Sequence, residues 1–230
     1  MDQINRNLPG DHYIRRMNES LSAIEEPKVL LHVCCAPCSS FCLLTLREVA
    51  NIGVYYYNPN ITLKDEYDFR YSEVKRLVKI YNEDRDLRLE KECRQISFTN
   101  SYVNREITIV EAPFESEKYL EAVKGYEDCP ERGDRCGICF EMRLRKTAIE
   151  AKNKGYDFFA TSLTLSPLKD AHIINHIGEK IGKEVDIKYL PTDFKKKNGY
   201  KKSIELSAKY DLYRQNYCGC VFSKRQDIDP

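Results

Sequence analysis

The chain has 230 residues, enough for one domain to bury a core without disulfide or metal staples. Its 37 Lys+Arg against 36 Asp+Glu exclude a strongly basic nucleic-acid binder, so any RNA contact must come from a local patch. No apolar run is long enough to span a bilayer and the first residues form no apolar leader; the expectation is a cytoplasmic protein with no membrane partner, in which ten cysteines point to metal or redox chemistry rather than structural disulfides.

Met17, Leu21 and Ile24 recur at helical spacing before Pro27 and predict a short first helix. The apolar run from Val29 to Val33 reads as a strand that leads into Cys34-Cys35-Ala36-Pro37-Cys38-Ser39-Ser40. The two serines are expected to cap a helix starting near Phe41, with Leu43, Leu46 and Ala50 on its buried face and Gly53 ending it. A second strand, Val54 to Tyr57, runs into the turn Asn58-Pro59-Asn60. From Leu63 to about Tyr81, Tyr67, Tyr71, Val74 and Val78 mark a helix with charged residues outward, and Arg70 is expected on its polar side, in reach of the turn.

Residues 83–105 are charged and weakly periodic, and are expected to form a peripheral insertion or hairpin. Ile107 to Phe114 reads as a third strand, followed by a short helix from Ser116 to Tyr126 and a charged loop. Cys136-Gly137-Ile138-Cys139 then opens a helix with Leu144, Ala148 and Ala151 buried, where the helix N-terminus favours thiolates. Phe158 to Ala160 is the fourth strand and ends in the polar loop from Thr161 to Pro167. The helix from Asp170 to Gly182 carries His172 and His176 at i, i+4, which without a third ligand reads as a hydrogen-bonded face.

A fifth strand, Ile187 to Leu190, precedes the basic run Asp193-Phe194-Lys195-Lys196-Lys197-Asn198-Gly199-Tyr200-Lys201-Lys202, in which Phe194 and Tyr200 are candidates for stacking a base. Ser203 is expected to begin the last helix, with Ile204, Ala208 and Leu212 inward. Cys218-Gly219-Cys220 follows, and residues 224–230 read as a disordered tail. Cys42 and Cys93 are isolated and read as ordinary buried thiols.

Alternating strands and helices predict an α/β fold, a doubly wound parallel sheet of about five strands, as a single domain over 1–230. In such a sheet the loops after strands 1 and 4 face each other across the ligand crevice. That brings Cys34 and its neighbours to the loop after Ala160, with the Cys136 helix leaning over both. Adjacent thiols in an extended segment point to opposite sides, so Cys34 and Cys35 are expected to serve different metal ions. Spacing leaves three readings open: an iron–sulfur cluster, a zinc site, or thiol–disulfide exchange.

The motifs His32-Val33-Cys34-Cys35-Ala36-Pro37-Cys38, Tyr57 to Asn60, Pro130-Glu131-Arg132-Gly133 with Arg135-Cys136 and Cys139, Thr161 to Pro167, Asp193 to Lys196, and Tyr213 to Cys220 closely resemble the QueH-type epoxyqueuosine reductases. The match covers a core of about 27–223 and leaves 83–105 outside it. The resemblance implies a fold like the adenine nucleotide α-hydrolase-like (HUP-like) group, with a cysteine turn in place of its nucleotide loop and therefore no ATP. It implies a cobalamin-independent enzyme with a [4Fe–4S] cluster, with an additional iron as an option. Such an enzyme reduces the epoxide of epoxyqueuosine at the wobble position of a tRNA anticodon loop, using an unidentified electron donor.

On that resemblance Cys34, Cys35, Cys136 and Cys139 are the metal ligands, and Cys38 an auxiliary ligand or gate. Cys218 and Cys220 complete the site or form a redox pair. Asp193, Tyr57 and Tyr217 are the candidate proton donors. Asn58, Asn60, Ser162 and Ser166 would position the nucleoside, and Arg70, Arg135, Lys195, Lys196, Lys197 and Arg214 would contact phosphates. The rival readings are a zinc-stabilised RNA-binding or RNA-thiolating protein and a thiol–disulfide oxidoreductase.

Overall fold

A computed structural model describes residues 4, 6–84, 86–98 and 105–223; the expected tail at 224–230 and part of the expected insertion at 83–105 lie outside the described residues. The elements in order are α1 (His12–Ser22), β1 (Lys28–His32), α2 (Ala36–Arg47), β2 (Asn51–Tyr55), α3 (Lys64–Glu83), β3 (Thr108–Val110), α4 (Ser116–Ala122), α5 (Asp134–Asn153), β4 (Phe158–Thr161), α6 (Ala171–Val185), β5 (Lys188–Tyr189) and α7 (Gly199–Lys209). The sheet order is β3-β2-β1-β4-β5 and each neighbouring pair is parallel. The fold class is the expected α/β one. The order reverses between β1 and β4, where open α/β sheets bind ligands beyond the carboxyl ends of the strands.

Period-2 alternation along β1 divides the core. Val29 and Leu31 pack with Leu43, Val74 and Leu206 on one face, beneath α2, α3 and α7. Leu30 packs with Leu144, Ala148 and Ile174 on the other, beneath α5 and α6. Central strands covered on both faces read as nearly continuous apolar runs, which is why β1 was legible from its sequence.

Several boundaries differ from the sequence reading. The second helix starts at Ala36, with Cys35 as the extended residue before it (φ −171°, ψ 164°) and Pro37 in its first turn. Ser39 and Ser40 do not cap it; inside the helix, their hydroxyls donate to the carbonyls of Cys35 (2.7 Å) and Pro37 (2.9 Å). Gly53 is no helix stop but the middle of β2. A Cβ there would come within 2.1 Å of the Tyr156 hydroxyl, so the strand needs a residue without one.

The last helix begins at Gly199, four residues before Ser203. It turns Ser203, Leu206 and Ser207 inward, leaving Ile204 42% exposed and Ala208 at the surface. A Cβ on Gly199 would lie 1.9 Å from the Phe194 carbonyl oxygen, and that close approach sets the helix entry. Residues 86–98 form no hairpin. Leu89 and Ile96 enter the main core, and Gln95 donates its side-chain amide to the carbonyls of Asp193 (3.3 Å), Phe194 (3.1 Å) and Lys196 (2.9 Å).

Candidate metal and active site

The chain bends at Cys34 as β1 passes into α2, and this bend makes the site. The Sγ atoms of Cys34 and Cys35 lie 3.8 Å apart, and those of Cys34, Cys35 and Cys38 all lie within 4.8 Å of one another. The expectation that Cys34 and Cys35 point to opposite sides is therefore corrected. It assumed a strand, whereas helix entry swings Cys38 round by one turn to meet both.

The surrounding polar groups are buried and tied to the backbone and side chains of the site, except Asn58 Oδ1, which is buried without a partner. Ser162 Oγ accepts the Cys34 N–H at 3.3 Å and lies 3.7 Å from Cys34 Sγ. Asn58, fully buried, donates Nδ2 to the Val33 carbonyl at 2.9 Å. His32, also fully buried, spans from Thr161 Oγ1 (2.9 Å at Nδ1) to the Tyr57 carbonyl (3.1 Å at Nε2). A carbonyl can only accept, so the proton is assigned to Nε2, and the Thr161 hydroxyl donates to Nδ1. Burial pushes the His32 pKa down to about 3, so the ring is a neutral spacer that joins the ends of β1, β2 and β4.

A second thiol group comes from α5 and the C-terminal segment. Cys136, Cys139, Cys218 and Cys220 line one cavity of about 70 Å³ with Asn60, Arg143 and Lys169. An adjacent cavity of about 210 Å³ is lined by Cys35, Cys38 and Cys218 and opens past Tyr200, Arg214 and Tyr217. Cys218 and Lys169 belong to both cavities. Gly219, at φ +100°, lets the chain turn against Ile61 and Arg70; a Cβ there would meet Ile61 at 2.6 Å.

Each thiol group holds one sulfur easily as thiolate, while its neighbours donate to it. Contacts from Cys35 and then Cys38 hold Cys34 well below the usual thiol range, and Cys35 in turn is pushed up to about 11. In the second group the neighbouring Cys220 thiol brings the pKa of Cys218 down to about 4, while that of Cys220 rises. Burial raises Cys136 and takes Cys139 up to about 11. Burial thus works against the thiolate preference that a helix N-terminus gives this C-x-x-C.

A sequence model of the family described as Epoxyqueuosine reductase QueH matches residues 29–226. The chain belongs to the QueH family. It is 42% identical to the Epoxyqueuosine reductase QueH of Streptococcus pyogenes over 204 residues, 88% of this chain and 73% of the relative. It is 34% identical over 195 residues to that of Thermotoga maritima, 85% of this chain and 89% of the relative. With the protein of the same name from Staphylococcus aureus it shares 41% identity over 202 residues, 87% of this chain and 77% of the relative.

The residues singled out in this QueH chain fall into three sets. Cys34, Cys35 and Cys38 gather tightly, whereas Cys136 and Cys139 stand outside that 4.8 Å group and share a cavity with Cys218 and Cys220. Tyr217, Ser166 and Arg214 line the larger cavity beside Cys35 and Cys38. Asn60 lines the smaller one, accepts from Arg143 through Oδ1 and donates Nδ2 to the Cys218 carbonyl at 3.3 Å.

Most of the other candidates are committed to the scaffold. Tyr57 donates to Glu115 at 2.9 Å and lines neither cavity, nor does Asp193, whose carboxylate pairs with Lys195 at 2.6 Å. Arg70 is not on a polar face: 1% exposed, it pairs with Glu66 at 2.6 Å, donates to the Cys218 carbonyl at 3.3 Å and lies over the Tyr217 ring. Arg135, 2% exposed, donates to the carbonyls of Tyr126 (3.0 Å) and Glu127 (2.6 Å), so neither arginine is a surface phosphate contact. Phe194 is fully buried and cannot stack a base; it sits in the core that Gln95 braces. Lys197 donates to the Arg94 carbonyl at 3.2 Å, while Lys196 is exposed.

Arg143 and Lys169 were missed. Arg143 lies four residues beyond Cys139 and seven beyond Cys136, so helical spacing alone marks it as sharing their face. Lys169 had no periodic signal. Burial works against its ammonium, yet Cys34, Cys38 and Cys218 together hold its pKa above the ordinary lysine value. Two cations thus face the two sulfurs that most readily ionise.

Proposed function

We propose that this chain is a cytoplasmic epoxyqueuosine reductase, a single domain with its core over 27–223. On this reading it takes two electrons and two protons to the epoxide of epoxyqueuosine in a tRNA anticodon loop, leaving the alkene and one water. The observation that carries the reading is the thiol triad Cys34, Cys35 and Cys38, of which Cys35 and Cys38 line a cavity shared with Cys218, in a chain of the QueH family.

The donor set fits a thiophilic ion, iron or zinc. Thiolates bound to one tetrahedral ion at ~2.3 Å have sulfurs about 3.8 Å apart, the separation of Cys34 and Cys35. Cys136 and Cys139, in the neighbouring cavity, are the thiols available to a [4Fe–4S] cluster completed by Cys34 or Cys35, with Cys38 left for an additional iron. When bound, such a centre supplies electrons and an open iron position that polarises a C–O bond. Neither cobalamin nor ATP has a part in this reading.

The chain's own residues then bind and orient. Arg214 and Lys196 stand where a backbone phosphate can reach them, and Tyr200 and Leu168 border the mouth for a splayed nucleoside. Of the three proton donors considered, Tyr217 is favoured, because it lines the cavity beside Cys35 and Cys38. Cys218 and Cys220 are set to relay reducing equivalents from the external donor, one as thiolate and the other as its hydrogen-bond donor.

The test is anaerobic purification, or reconstitution with iron and sulfide, then incubation with a reductant and tRNA carrying epoxyqueuosine. Nucleoside mass analysis should show loss of one oxygen. Unchanged nucleoside from iron-loaded protein, or a colourless protein holding one zinc, overturns the proposal.

A further inference from the structure

Arg143 is the buried charge that the catalytic reading leaves unused. It is 3% exposed, sits on the α5 face that carries Cys136 and Cys139, and lines the cavity formed by those thiols with Cys218 and Cys220. One guanidinium nitrogen donates to Asn60 Oδ1, and Nε is buried without a partner. No carboxylate pairs with Arg143 among the described residues, although a buried guanidinium needs a counter-charge to offset its desolvation. The groups its cavity offers to meet that charge are the sulfurs of Cys136, Cys139, Cys218 and Cys220. Asn60 fixes the geometry, since its amide also holds the Cys218 carbonyl.

We propose that Arg143 is a positioning residue that places a fixed positive charge, with a free N–H donor, beside the cysteine sulfurs of its cavity and thereby raises the reduction potential of the centre they would hold. Net charge and hydrogen bonds to sulfur are two of the levers by which a protein sets such potentials. A cation beside the centre stabilises the form with one more electron. The inference rests on the iron–sulfur reading above, but concerns the residue that tunes the centre rather than the reaction it drives.

The experiment is a redox titration of the reconstituted protein, followed by its visible and paramagnetic resonance spectra, for wild type, Arg143→Lys and Arg143→Gln. Arg143→Gln should titrate at a more negative potential. A tenfold fall in the ratio of reduced to oxidised centre at fixed poise, about 59 mV for a one-electron couple, is the scale expected. Arg143→Lys keeps the charge and should remain near wild type, a rescue that a purely packing role would not produce.

Should Arg143→Gln fail to hold iron, Asn60→Asp decides, because it adds a carboxylate at the atom that already accepts from Arg143 and should move the potential in the same direction. Iron-loaded Arg143→Gln, or in its place Asn60→Asp, titrating with wild type overturns the role of Arg143 while leaving the reductase reading intact. Coincident potentials for Lys and Gln variants, both shifted, overturn the charge argument. Wild-type protein without iron and acid-labile sulfide overturns the reductase reading and this inference with it.

Discussion

The backbone N–H of Tyr213 donates to the Glu73 carboxylate at 3.0 Å, joining α3 to the segment that carries Arg214, Tyr217 and Cys218. Arg76 completes the clamp, donating to both Glu73 oxygens at 2.8 Å and to the carbonyls of Tyr210 (2.9 Å) and Asp211 (2.8 Å). The cysteine-bearing C-terminal segment is thus tied down at Tyr213, just before it enters the site at Arg214 and Tyr217.

The Arg76 contact, with help from the Tyr213 amide and against burial, holds Glu73 below the ordinary carboxylate range. A depressed folded-state pKa contributes stability that is present above the unfolded value and lost as pH falls through the folded one. The loss therefore falls below about pH 4.3. Denaturant unfolding of wild type and Glu73→Gln at pH 7 and pH 3 should show a smaller acid penalty in the variant; equal penalties would remove Glu73 from the account.

Serine at Cys34, Cys35 or Cys38 should lower the iron bound after reconstitution, because each removes one sulfur from a group held within 4.8 Å. Cys42 is the control: fully buried, with its thiol on the Cys38 carbonyl at 3.1 Å, it serves the packing of α2. Cys42→Ala should cost about 1 kcal/mol and leave iron and sulfide content unchanged. Iron and sulfide analysis with thermal melts separates the two classes.

Gln95 and Gly199 should prove structural determinants of the loop from Asp193 to Asn198. Gln95→Leu leaves three carbonyls without their shared donor and should destabilise by about 1–3 kcal/mol, with faster amide exchange in residues 193–199. Gly199→Ala forces a Cβ against the Phe194 carbonyl and should cost about 1–3 kcal/mol. An unaltered melt for either variant would contradict the packing described.

On the proposed reading the exposed Lys196 and Arg214 are candidates to meet an RNA backbone, while Lys195 and Lys202 are paired with Asp193 and Glu90 at 2.6 Å. Alanine at Lys196 or Arg214 should weaken tRNA binding and reduce the slope of log affinity against log salt by about 0.7–0.9 per lost phosphate contact. Alanine at Lys197, bonded to the Arg94 carbonyl, should change the slope little. Binding isotherms at several salt concentrations provide the check.

Sequence alone determined the α/β class, the five parallel strands and the two cysteine-bearing helices, because buried strands and amphipathic helices write their periods directly into the chain. It also marked Cys34, Cys35, Cys38, Cys136, Cys139, Cys218 and Cys220 as candidate ligands or redox groups, since thiols at such density in a chain this long have few bland explanations. Only the tertiary structure decided how they group. The sulfurs of Cys34, Cys35 and Cys38 meet because the helix begins at Ala36, a choice made by backbone geometry at Cys35 and Pro37 rather than by any periodic signal. Arg70 and Arg135 turned inward, and Phe194 into the core, because a charge or ring on a helix or loop carries no local mark of the neighbour that will bury it. Arg143 and Lys169 joined the site for the same reason. Which cation faces which thiolate is set by long-range packing, and packing appears only once the sheet has brought the end of β1, the loop after β4 and the first turns of α5 together.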